Sequence, residues 1–342
     1  MNNNLRIHGG PDGRGAPLHD FSTNSNACGP CPQALAAVQQ ADATRYPDPD
    51  YSVLRQRLAD FYTVDAARIV LAGSASEFIF RFTAWARQQG ANTVSLPAHA
   101  YGDYAHAARA WGLQPAARPD DADLVWACEP SSPLGQNHDP WPAWLLGGYA
   151  PAAARGHALI VDGAYAPLRL DGAPSLSAVQ HQQVWQIFSP NKALGLTGVR
   201  AAFAIAPVGA ETAAAQLDAL APSWVLGAHG VAMLQAWTQT ATQAWLHSSL
   251  DTLRGWKRQH IQMLVRAGWT VQPSATPFFC AQPPQGVDAV ALCMQLREQG
   301  FKLRDASSFG LPGWVRIGVQ APTAQDALHA ALSLNLEISY AG

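Results

Sequence analysis

The feature that most constrains this chain is a series of six short apolar runs between residues 66 and 207. They lie at 68–73, 93–98, 124–129, 159–165, 184–190 and 201–207. All are rich in Val, Ile, Leu and Ala, and none alternates with polar residues. Continuous apolar runs suit strands buried on both faces, the habit of a mostly parallel sheet covered by helices. Segments 76–89, 104–111 and 141–155 read as helices between some of them. The last two runs are joined by a glycine-punctuated loop too short for a long helix. After residue 207 the pattern turns helical, at 211–220, 225–248 and 250–267. A strand at 276–281, a helix at 287–299, a strand at 314–319 and a helix at 324–336 follow, the alternation of a small α+β unit. A chain of 342 residues has room for both parts.

Charge and apolar content remove several classes of function. A hydrophobic share of 48% with 13% charged residues describes a globular protein. The net charge of −2 offers no electrostatic basis for nucleic-acid or anionic-membrane binding. No apolar run reaches 18 residues, and residues 1–6 lack the apolar core of a signal peptide, so a cytoplasmic location is expected. Five cysteines, an odd number in a large chain, do not suggest a disulfide framework. Cys28-Gly29-Pro30-Cys31 spells the dithiol motif of thioredoxin-like enzymes, which needs a preceding strand and a helix start to lower the thiol pKa. Here a polar loop, 24–27, precedes it, and a turn flanked by cysteines is the preferred reading, although a helix near Pro32 would leave room for partial activation.

In an open α/β sheet, ligands gather at the carboxyl ends of the strands. The residues at those ends make a consistent set. Gly73-Ser74-Ala75-Ser76 opens a helix and would offer backbone N–H groups to a phosphate. Tyr101-Gly102-Asp103-Tyr104 presents an aromatic face. Asp162 ends a wholly apolar run, with Tyr165 just beyond it. Ser189-Pro190-Asn191-Lys192 closes the fifth run, and Arg200 follows two glycines. Taken singly, a lysine in a glycine-rich loop is more often a solvated charge, and Tyr101 or Tyr165 could be core aromatics. Together they are the parts one cofactor requires. Pyridoxal 5′-phosphate forms a Schiff base with a lysine amine, and a carboxylate keeps its ring nitrogen protonated so that the ring accepts electrons. The pattern includes no metal site.

Over nearly its whole length the chain resembles the fold-type I pyridoxal-phosphate enzymes of the class I/II aminotransferase group. The carrying motifs are Ser189-Pro190-Asn191-Lys192 with Gly195, Gly198 and Arg200, and the strand "LIVDGAY" ending in Asp162 and Tyr165. The resemblance implies an aspartate-aminotransferase-like large domain with a mostly parallel seven-stranded sheet and a smaller α+β C-terminal domain. Residues 1–45 would be an arm packing on the small domain and the active site, 46–230 the large domain and 231–342 the small one. It implies that Lys192 carries the cofactor, that Ser189, Arg200 and the backbone of Gly73, Ser74, Ala75 and Ser76 hold its phosphate, and that Tyr101 stacks on its ring. Asp162 would meet the ring nitrogen, and Tyr165 and Ser132 the 3-hydroxyl. Tyr46, in "RYPDPD", would reach the phosphate of the partner in a homodimer. His8, Asn24, Arg304 and Arg316 would meet the substrate.

Within the group, His8-Gly9-Gly10 and "DFSTNSNACGP" at 20–30 are most similar to the branch holding cobalamin-pathway threonine-phosphate decarboxylase and, close by, histidinol-phosphate aminotransferase. A small amino acid bearing a phosphate is the expected substrate, by transamination or decarboxylation; a non-catalytic binding protein on the same fold is the competing class. Two positions depart from the family pattern. Ser131-Ser132-Pro133-Leu134-Gly135 stands where the group has N-N-P-T-G, and Gly163 replaces a glutamate after Asp162.

Overall fold

A computed structural model describes residues 8–147 and 158–340, with the backbone alone over 335–340. Its centre is a seven-stranded sheet built from β2 (Ile69–Ala72), β3 (Thr93–Ser95), β4 (Gln114–Pro115), β5 (Leu124–Cys128), β6 (Ala158–Asp162), β7 (Trp185–Phe188) and β8 (Ala202–Ile205). The spatial order is β2-β8-β7-β6-β5-β3-β4. All pairings are parallel except those of β8, which runs against both β7 and β2. Six of these strands fall on the six apolar runs. The edge strand β4 has only two residues, both exposed, which is why no apolar run marks it.

Neighbouring residues of one strand enter different cores. Val70 and Ala72 join Phe78, Phe82, Trp126 and Ile187 on one side, while Ile69 and Leu71 join Phe203 and Ile205 on the other. Burial on both faces is the reason the strands carry no polar alternation. Helices α3 (Ala75–Gln88), α4 (Gly102–Ala110) and α7 (Glu211–Ala219) cover one side. Of the helix expected over 141–155, α5 (Ala143–Leu146) lies within the described residues, and 148–157 lies outside them.

The reversal of β8 decides where ligands can gather. Ala202 pairs with Ala72 and Phe203 with Phe188, so β8 begins at the edge where β2 and β7 end. In the adjoining register, Cys128 pairs with Asp162 and Asp162 with Ile187. The segments that follow β2, β6 and β7, and the one that precedes β8, therefore meet at one edge of the sheet.

A second, antiparallel sheet has the order β12-β13-β10-β9, from β9 (Thr270–Val271), β10 (Phe278–Gln282), β12 (Arg304–Asp305) and β13 (Val315–Gly318). The N-terminal segment lies along this region. His19–Asp20 (β1) pairs in parallel with Phe301–Lys302 (β11), and Gly318 N–H donates to the Phe21 carbonyl at 2.7 Å. Asp12 meets Arg297 at 2.8 Å and Lys302 at 3.0 Å, which holds its carboxyl well below the usual range.

Two helix expectations are corrected. Residues 225–267 form α8 (Ala228–Trp237) and α9 (Thr240–Arg266), broken at 238–239 and not near Ser248. Ser249 does not interrupt α9, because its hydroxyl donates back to the Leu246 carbonyl at 2.7 Å. The break is held by Gln243, whose amide donates to the Trp237 carbonyl at 2.6 Å. The helix α2 (Ser52–Tyr62) was not expected; it buries only Leu54, Leu58 and Ala59, too narrow a stripe to stand out.

Candidate active site

A cavity of about 420 Å³ opens at the edge where the strand ends meet. Its walls include Ser74, Ala75, Ser76, Tyr101, Ser132, Asp162, Tyr165, Ser189, Lys192 and Arg200 from the large sheet's side. Arg304 and Arg316 come from the smaller sheet, and His8 and Asn24 from the N-terminal segment. It continues into a wider cleft past Arg200 and His106. Of the residues expected to hold the cofactor or the substrate, all but Gly73 and Tyr46 line this cavity.

The helix α3 starts here because Ser74 caps it, accepting the Glu77 N–H at 3.0 Å. Gly73 N–H donates to the Glu77 carboxylate at 3.1 Å, and Gly73 is not among the residues that line the cavity. Tyr101 stands just before α4 and shares a 3.0 Å hydrogen bond with Ser76. His8, exposed, has its ring 6.1 Å from that of Tyr101.

Asp162 is buried at the end of β6, its two oxygens accepting from Tyr104 Oη at 2.6 Å and from Ala164 N–H at 2.9 Å. Tyr165 lies three residues on, its hydroxyl accepting from Asn24 Nδ2 at 3.4 Å and its ring meeting Phe278 edge-on. Lys192 Nζ sits 5.4 Å from the centre of the Tyr165 ring. Its loop has a tight seat. Gly195 has φ +69°, and a Cβ there would meet the Gly29 carbonyl at 2.6 Å.

That close approach explains the CGPC segment. Cys31 N–H donates to the Leu194 carbonyl at 2.8 Å, and Asn26 N–H to the Lys192 carbonyl at 2.9 Å. The segment is the shelf under the lysine loop, and Pro32 opens α1 (Pro32–Gln39). Burial pushes the Cys28 thiol up to about 11, the opposite of what a redox dithiol needs. The dithiol reading falls on this point.

On the facing wall, Arg304 and Arg316 are directly opposed across β12 and β13, so both project from one face of the sheet. Arg316 is buried and donates to Ser132 Oγ at 3.2 Å and to the Ser22 carbonyl at 2.7 Å. Its guanidinium lies 6.0 Å from the Phe278 ring centre and 5.4 Å from that of Phe309. Arg304 lies 4.7 Å over Phe309 and donates to Ser308 Oγ at 2.6 Å. Burial, and then the neighbouring Arg316, lower the Arg304 pKa to about 10. Ser132 thus takes a hydrogen bond from the arginine, where a bond to the ring hydroxyl was expected. Sequence reasoning missed Phe309 and assigned no role to Tyr104; the i, i+3 spacing of Tyr104 from Tyr101 on a helix was the available signal.

Residues 16–334 match the family model "Aminotransferase class I and II". A histidinol-phosphate aminotransferase from Ruegeria sp. is 27% identical over 333 residues, covering 91% of this chain and 89% of the relative. Among solved structures, a histidinol-phosphate aminotransferase from Sinorhizobium meliloti in complex with pyridoxal-5′-phosphate superposes with a TM-score of 0.73. Identity is 23%, over 92% of this chain and 90% of that one. The L-threonine-O-3-phosphate decarboxylase from Porphyromonas gingivalis gives 0.72 at 21% identity, over 94% and 100% of the two chains. The chain belongs to the class I and II aminotransferase family, and it is an enzyme that works with pyridoxal 5′-phosphate on a small amino-acid substrate. No helix among the described residues is long and apolar enough to cross a membrane.

The residues present fit that group by their unmet hydrogen bonds. Asn24 Oδ1, Ser189 Oγ, Asn191 Oδ1 and Arg316 Nε are buried without a partner among the described residues, and all four side chains line this one cavity. Buried polar atoms are ordinarily satisfied, so their concentration here marks the place of a polar ligand.

Proposed function

We propose that the protein is an aminotransferase for a small primary amine that carries a phosphate, either a phosphorylated amino acid or an amino-alcohol phosphate such as histidinol phosphate. The observation that carries the reading is the opposed pair Arg304 and Arg316. Two cations face to face repel, and removing them from water is costly. A substrate phosphate relieves that repulsion, as does a carboxylate where the substrate has one, and the guanidinium fork suits either anion bidentately.

On this reading the cofactor, when bound, supplies an aldehyde that condenses with an amine and a ring that accepts the electron pair released at Cα. The chain does the rest. Ser189, Arg200 and the first N–H groups of α3 hold the phosphate, where the helix dipole favours negative charge. Tyr101 covers one face of the ring, and Asp162 meets the ring nitrogen. Tyr165 and Ser132 reach toward the 3-hydroxyl. Lys192 anchors the cofactor and moves the proton at Cα, while Arg316 and Arg304 fix the substrate so that the right bond stands over the ring. His8 and Asn24 close the site from the N-terminal segment.

The working unit is a homodimer in which Tyr46 serves the partner's site. Supporting this, Tyr46 is 76% exposed and stacks on Trp224 at 4.3 Å, with no share in its own chain's cavity. Tyr46→Phe should weaken cofactor binding by ~1.5–3 kcal/mol, the worth of one charge-assisted hydrogen bond. Apo-protein titration reads the loss, and a fully loaded monomer in light scattering would remove the trans role.

The test of the activity is incubation with histidinol phosphate plus 2-oxoglutarate, and separately with threonine phosphate. Conversion of the cofactor to its amine form with the first supports the proposal. Release of CO2 from the second, with no amine form, would replace it by decarboxylation and bring a role in cobalamin synthesis into view.

A further inference from the structure

We propose that Tyr104 is a positioning residue for Asp162, holding that carboxylate in place and aimed at the cofactor's ring nitrogen. The proposal rests on the reading in which Asp162 meets that nitrogen, and it assigns work to a wholly buried residue at the cavity's edge.

Tyr104 is wholly buried on α4, with its ring stacked on Trp126 at 5.0 Å and 12° and the Tyr101 ring edge-on against it at 5.9 Å. Two aromatic contacts at right angles leave the phenol ring little freedom to turn. Its hydroxyl donates to Asp162 Oδ2 at 2.6 Å, a distance typical of an O–H donor meeting a carboxylate. Ala164 N–H takes the other oxygen. Each oxygen is therefore pinned once, from the protein side, and the acceptor capacity left over belongs to a side chain that lines the cavity.

The chemistry of the donor matters. A buried carboxylate with no donors is expensive to keep ionised, and one free to rotate would spend part of its time pointing away from the ring. Burial, and then Asp162 itself, drive the phenol's pKa well above its ordinary value, so Tyr104 stays protonated and keeps a hydrogen to donate to Asp162. Tyr101, the same side chain three residues earlier, shares its hydroxyl with Ser76 instead. One helix turn thus presents one tyrosine to Ser76 and one to Asp162.

The test compares two ligands on two proteins. Apo wild type and apo Tyr104→Phe are titrated with pyridoxal 5′-phosphate and with its 1-deaza analogue, in which the ring nitrogen is C–H. Melting of the apo proteins checks that the variant folds. Wild type should bind the natural cofactor at least ~10-fold more tightly than the analogue, the scale of one hydrogen bond to a charged group. In Tyr104→Phe that preference should shrink several-fold, with affinity for the analogue nearly unchanged. Equal weakening toward both ligands, or an undiminished preference, would overturn the positioning role while leaving Asp162 in place. A wild type that does not distinguish the two ligands would overturn the assignment of Asp162 itself, and Tyr104 with it. If Tyr104→Phe does not fold, Trp126→Phe loosens the plate under Tyr104 and should show the same shrinkage at smaller size; an undiminished preference there also overturns the proposal.

Discussion

The two walls of the cavity solve the problem of holding charge in different ways. The large-sheet wall places its groups where strands end. Lys192 is half-buried and Arg200 exposed, on backbone that already has loops, helix starts and turns to serve them. The small-sheet wall places Arg304 and Arg316 within strands, buried, with aromatic faces and backbone carbonyls as neighbours. The first arrangement keeps its two cations within reach of water. The second brings two buried cations together, and burial with the neighbouring Arg316 lowers the Arg304 pKa. On the proposed reading the difference teaches that the first wall receives the cofactor and the second selects the substrate.

The largest expected effect breaks the cofactor wall. On the proposed reading Lys192→Ala removes both the anchor and the proton carrier, and should lower kcat by on the order of 10³-fold or more. Borohydride should then no longer fix the cofactor to the chain, as read by mass spectrometry. Retained covalent fixation would mean another amine serves, and the wall would have to be redrawn.

Arg316→Ala should come next, acting on the other wall alone. Loss of one or two charge-assisted bonds raises KM roughly 10- to 100-fold. The visible spectrum of the bound cofactor should not change. A spectral change would show that the two walls are coupled through Ser132, which accepts from Arg316.

Arg304→Ala sharpens the comparison within one wall. Its effect should be several-fold larger on a phosphorylated substrate than on the unphosphorylated analogue. Equal losses would make Arg304 structural. A pKa lowered to about 10 also sets a sign: the cation is present at every pH below that value and is lost above it. Affinity for the phosphorylated substrate should therefore hold from neutral pH upward and fall as pH passes 10, unless bound anion raises the limit.

The smallest effect concerns the shelf beneath the lysine loop. With Cys28 at about 11, only about 0.1% is thiolate at pH 8. Iodoacetamide should label it slowly, with a rate rising about tenfold per pH unit toward pH 11. Fast labelling at pH 7 would revive a reactive dithiol.

Much of the cofactor wall was legible in the chain because its chemistry is local. Ser189 and Lys192 are three residues apart, Asp162 and Tyr165 likewise, and each group follows an apolar run that announces its strand. Tyr101 was legible for the same reason. The substrate wall was legible only as arginines at suggestive places. The bond from Gly73 N–H to Glu77 was not legible, because Glu77 follows it in the helix and could equally have pointed to solvent. Helix α2 and the α8–α9 break were missed where a narrow apolar stripe or a back-bonding serine gives periodicity little to register.

What the sequence determined by itself is the set of strands and the residues at their ends, since two-sided burial demands unbroken apolar runs and the chain must turn where they stop. What only the tertiary structure decided is which of those ends meet. The reversal of β8 carries Arg200 back to the edge where β2 and β7 finish, and the cross-strand register sets Arg304 against Arg316. The fold also brings Tyr104 onto Asp162, 58 residues away. Such pairings depend on strand order and register, which arise from packing over the whole molecule and leave no mark on any short stretch of chain.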